Sequence, residues 1–131
     1  MNTLEWKNRD IFYTYGKDFC MEIVHWVKSY GANAWNIYVY LYSDHPTFDK
    51  VDLTAFYPEV EEISWHGGCT FMEVIYNRDG TKKRAIKLGC DYCHYGDERF
   101  EAAINLAEAP EVLADANRIF QKLQEIANAP R

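Results

Sequence analysis

Residues 63–97 read ISWHGGCTFMEVIYNRDGTKKRAIKLGCDYCHYGD. Thr70 to Tyr76 is rich in β-branched and aromatic residues, the composition of a strand. Asn77-Arg78-Asp79-Gly80 follows, and Asn, Asp and Gly tolerate the left-handed backbone of a tight reversal. Lys82 to Leu88 then returns as a second strand. A hairpin about this turn brings the residues before Thr70 against those after Leu88. Its open end gathers His66, Cys69 and Thr70 from one side, and Cys90, Asp91, Cys93, His94 and Asp97 from the other.

The flanking sequence supplies the rest of an α+β fold. Trp35 to Tyr42 (WNIYVYLY) alternates with period two. Ile37, Val39 and Leu41 form an aliphatic face for the core, and Tyr38, Tyr40 and Tyr42 an aromatic face behind it. Ile11 to Tyr15 reads as a strand or ordered lead-in. Between Asp18 as N-cap and Gly31 as C-cap, Phe19, Ile23, Val24, Val27 and Tyr30 recur at helical spacing, which predicts an amphipathic helix with His25 partly exposed on it. Ser43 to Pro58 is a polar surface excursion containing His45-Pro46, and Ile63 to His66 a short strand into the corner. Glu98 to Leu106 carries helical spacing. Pro110 opens a last helix, with a stripe of Leu113, Ala116, Phe120, Leu123 and Ala127 widened by Ile119 and Ile126. The expected fold is a single domain over residues 1–131. An antiparallel sheet of four or five strands packs against an N-terminal helix and one or two C-terminal helices.

Composition narrows the function classes. The 131-residue chain is 48% hydrophobic, enough for one real core, and its formal charge of -6 argues against bulk coating of nucleic acid, which needs clustered Lys and Arg. The one basic run, Lys82-Lys83-Arg84, reads as the solvated face of a strand. No apolar run approaches the roughly 20 residues that span a bilayer, and MNTLEWKNRD lacks the apolar segment of a secretory signal. A cytoplasmic location is therefore expected, with the four cysteines reduced.

The corner admits four readings. His66-x2-Cys69 with Cys90-x2-Cys93 has the paired spacing of a zinc knuckle, which would make zinc a cofactor. Cys90-Asp91-Tyr92-Cys93-His94 formally matches a haem-attachment motif, but such attachment belongs to exported proteins and no export signal precedes it. His66, Asp91, His94 and Asp97 together offer two imidazoles and two carboxylates, a set for metal-assisted or acid–base hydrolysis, for instance of phosphate esters. Finally, the same residues could tie the loops together by hydrogen bonds alone.

His66-Gly67-Gly68-x-Thr70 with Gly89-x-Asp91-x2-His94-x-Gly96-Asp97 resembles a family of small phage and prophage proteins. The upstream Tyr38-Val39 and His45-Pro46-x-Phe48-Asp49-Lys50 are similar to the same family, so the resemblance covers roughly Trp35 to Asp97. Cys69, Cys90 and Cys93 do not fall at cysteine positions of that pattern. The resemblance implies a phage origin and carries no activity with it. It favours a non-enzymatic accessory protein, host-modulating or counter-defence, that binds a host protein or a small ligand. The ligand-binding candidates are then Tyr40, His45, His66, Gly67, Gly68, Thr70 and His94.

Overall fold

A computed structural model describes residues 9–56 and 58–130. Five strands form one antiparallel sheet: β1 (Arg9–Gly16), β2 (Phe19–Val27), β3 (Asn33–Tyr42), β4 (Phe71–Tyr76) and β5 (Lys83–Asp91), in the order β1-β2-β3-β5-β4. A single long helix, α1 (Pro110–Asn128), crosses one face of the sheet. Pro110 opens α1, as expected of a residue whose missing N–H costs nothing in a first helical turn.

The period-two reading of β3 holds. Trp35, Ile37, Val39 and Leu41 are wholly buried on the core face, while Tyr38 and Tyr40 are half-buried on the other. The α1 stripe is Val112, Ala116, Ile119, Leu123 and Ala127. Leu113 is instead exposed and Phe120 only partly buried. Burying one such aliphatic side chain contributes about 1.5–3 kcal/mol, so this stripe is what fastens α1 to the sheet.

The helix expected between Asp18 and Gly31 is a strand, β2. The reason lies in its place inside the sheet, between β1 and β3. Phe19, Met21 and Ile23 face the core, and Cys20, Glu22 and Val24 are buried on the opposite face. Apolar residues on both faces erase the period of two, and what is left matches a helical template by accident. Asp18 is not an N-cap. It sits at φ 64 in the two-residue link from β1 to β2. Gly31 is not a C-cap either, but lies at φ 90 in the turn into β3. His25 is buried rather than partly exposed. Its ring stacks on Trp35 and bonds to Asp10 and Asn33.

The expected strand at Ile63 to His66 is also absent; residues 58–70 run as turns and irregular chain. Phe48 and Val51 of the excursion from Ser43 to Pro58, and Val60 and Ile63 after it, are buried and join the main core. The stretch Glu98–Ala102 is a 3₁₀ helix rather than an α-helix, with Phe100 buried beneath it.

Candidate functional site

The Asn77–Gly80 reversal does what its composition predicts. Phe71 pairs with Gly89, and the Thr70 N–H donates to the Gly89 carbonyl at 2.9 Å. The two loops flanking the hairpin therefore share one corner.

His66 and Asp97 form its centre. His66 Nε2 lies 2.8 and 2.9 Å from the two Asp97 carboxylate oxygens, so this nitrogen carries the proton and donates. Tyr92 stacks on the His66 ring with centroids 4.2 Å apart, and its hydroxyl donates to Asp115 of α1. Phe100 closes the stack edge-on. The Tyr92 phenol is held far above its ordinary value, first by burial and then by the Asp115 hydrogen bond, so it stays a donor. Tyr92 thus fixes the plane of His66 and ties the corner to α1. Sequence reasoning missed it, although the period of β5 carried two residues further places Tyr92 on the same face as Leu88 and Cys90.

His94 completes the group. Its ring centroid is 5.9 Å from that of His66, and its Nδ1 is 3.5 Å from Asp97 Oδ2 and 3.5 Å from Asp91 Oδ1. Neither contact is a hydrogen bond, and Nδ1 is buried with no hydrogen-bond partner among the described residues. Its backbone N–H donates to Asp97 Oδ2 at 2.9 Å. Burial pushes the Asp97 carboxyl up, but the His66 hydrogen bond, the His94 N–H and the two imidazoles outweigh it and hold the carboxyl below its ordinary value. Asp91 is anchored by Thr70 Oγ1 at 3.0 Å and by the Cys93 N–H at 3.0 Å.

The glycines have distinct tasks. A Cβ on Gly67 would stand 2.5 Å from the His94 ring, so only glycine lets this loop lie flat against the imidazole. Gly68 faces open space, and its φ of 92 is its only requirement.

One ligand atom each from His66, His94 and Asp97 all fall within 4.8 Å of one another, the sole such group among the described residues. The cysteines do not join it. Cys69 is buried and donates to the Phe71 carbonyl. Burial pushes the Cys90 thiol up to about 12, against the lowering effect of backbone hydrogen bonds from His66 and Ile37. Cys93 is exposed. The set His66, Cys69, Cys90 and Cys93 is thus not assembled for a shared ion. Two ligand candidates also lie elsewhere. Tyr40 donates to Glu22 on the far face of the sheet. His45 is buried beneath α1, bonded to the Leu123 carbonyl and to the Thr47 N–H.

No family model, no curated protein and no solved structure matches this chain.

The surroundings of the corner are acidic. His94 stands between two surface depressions of about 350 Å³ each. Glu59 borders one, and Glu98 and Glu101 border the other with Lys28. Such a field attracts cations and repels a free phosphate. No described helix is long and apolar enough to cross a membrane.

Proposed function

We propose that this chain is a small accessory protein of the phage type that works by binding rather than catalysis. A divalent transition metal, held by His66, His94 and Asp97, is the centre of its binding site. The observation that carries this is the convergence of two imidazoles and one carboxylate within 4.8 Å, with a buried imidazole nitrogen that has no hydrogen-bond partner among the described residues and two carboxylates 3.5 Å away. Two nitrogens and one oxygen suit zinc and its neighbours, and three protein ligands leave positions open for a small ligand. Donor atoms about 2.1 Å from a zinc ion lie roughly 3.5 Å apart, so small side-chain rotations close the site. The ion takes the place of the proton now shared by His66 and Asp97. The host-modulating or counter-defence role rests on the family resemblance alone.

Equilibrium dialysis against zinc tests the site. Wild-type protein and Cys93→Ser should each retain one ion per chain, and Asp97→Asn should retain far less. Equal retention by all three would refute the assignment.

A second reading, a metal-dependent hydrolase of phosphate esters, is favoured by one feature. Asp91 is anchored beside His94, where a carboxylate could accept a proton from metal-bound water. The acidic rim opposes it. Turnover of an aryl phosphate with added zinc or manganese, lost in Asp91→Asn while metal binding survives, would establish this reading over the first.

A further inference from the structure

Among the described residues, the sheet ends on two strands with an unpaired side, and they differ. β4 is six residues long, carries Glu73, and breaks register at Ile75/Tyr76. Charges and bulges of this kind keep an edge from pairing. β1 has no bulge and no proline, its charges are confined to Arg9 and Asp10 at its start, and it holds unbroken register from Arg9↔Trp26 to Gly16↔Phe19. Its apolar side chains are exposed on both faces, with Phe12 at 42% and Tyr13 at 56%. On the helix side, an apolar recess of about 120 Å³ opens beside Phe12, between Leu113 and Phe120.

The register shows which backbone groups of β1 are left unpaired by the described residues. The Asp18 carbonyl accepts from the Tyr42 N–H, so even-numbered residues of β2 turn their backbone groups toward β3. Odd-numbered residues of β2 therefore face β1, where they meet Asp10, Phe12, Thr14 and Gly16. Arg9, Ile11, Tyr13 and Tyr15 are left directing N–H and C=O away from the sheet.

We propose that β1 is a homodimer seam. The β1 strand of a second copy pairs with it antiparallel about a two-fold axis through Phe12, joining two five-stranded sheets into one. This register opposes Arg9 to the second copy's Tyr15, Ile11 to its Tyr13, Asp10 to its Thr14, and Phe12 to itself. Every outward-facing residue is used, giving about eight new backbone hydrogen bonds. The pairs are cation on aromatic ring, β-branched on aromatic, and carboxylate on hydroxyl, all favourable, and no like charges meet. Moving the axis to Tyr13 sets Arg9 opposite the second copy's Lys17, a like charge in the turn beyond the strand. The strand is its own complement, as a closed two-fold interface requires.

Analytical ultracentrifugation of the whole chain across a concentration series tests this. The mass should double as concentration rises. Tyr13→Pro removes an outward N–H that β2 does not use, and edge strands tolerate such a proline. It should give a folded monomer. Should that variant fail to fold, cross-linking decides. In a Cys93→Ser background, F12C should form a disulfide-linked dimer on mild oxidation, because the axis sets its sulfur opposite its copy, and T14C should not. A wild-type chain that stays monomeric at every concentration overturns the homodimer and leaves the edge to a foreign strand. A dimer that survives Tyr13→Pro, or equal cross-linking by F12C and T14C, also overturns it.

Discussion

Gly67 lies against the His94 imidazole so closely that a Cβ at residue 67 would fall 2.5 Å from His94 Cε1 and 2.7 Å from Nδ1. The backbone there is also left-handed, at φ 69. Gly67→Ala must strain the loop, displace the ring, or both. It should lower stability by about 1–3 kcal/mol and weaken zinc binding at least tenfold. Gly68→Ala supplies the control. It carries the same class of backbone penalty but meets no atom within 4 Å, so zinc binding should persist. Thermal unfolding and metal titration of the two variants check this together.

The Asp97 carboxyl is held below its ordinary value of 3.8. Its unfolded form then binds protons more readily than its folded form. The stabilisation is fully present above pH 3.8 and is lost as pH falls through the lower folded value. Asp97→Asn should be less stable at neutral pH by about 1–3 kcal/mol and should show a flatter loss of stability in acid. Denaturant midpoints measured from neutrality into that acid window check the direction.

On the face of the sheet opposite α1, Glu22 is buried, with Lys87 Nζ at 3.6 Å and the Tyr40 hydroxyl at 3.0 Å. Lys87 lies over the Tyr38 ring at 4.2 Å. Lys87→Met would leave a buried carboxylate uncompensated and should cost about 3 kcal/mol or more. Adding Glu22→Gln should recover part of that loss. A double-mutant cycle read from denaturant unfolding measures the coupling.

Three of the four cysteines are buried, and burial raises the thiols of Cys20, Cys69 and Cys90. Alkylation of the native protein near neutral pH should therefore modify Cys93 alone, with the other three reacting only after unfolding. Intact-mass spectrometry reads the number of adducts directly.

The hairpin of β4 and β5 was legible because its turn residues and strand composition agree, and so was the meeting of His66 with Asp97. β3 was legible because one of its faces is aromatic and the other aliphatic. β2 was not, because a strand buried on both faces has no alternation to read. Residues 43–58 misled in another way. Their polar composition reads as surface, yet Phe48 and Val51 are buried between turns. The site was partly legible. His66, Asp91, His94 and Asp97 stood out by residue type, but the support from Tyr92 and Asp115 depends on a helix packed from far along the chain.

Cobalt(II) absorption tests the central claim most directly, because it reports both whether an ion binds and which atoms hold it. With His66, His94 and Asp97 as ligands, the wild-type protein should develop visible d–d bands that saturate at one ion per chain and show no thiolate-to-cobalt charge transfer. His94→Ala should abolish them. A charge-transfer band from cysteine, bands that survive His94→Ala, or no bands at all would contradict the account.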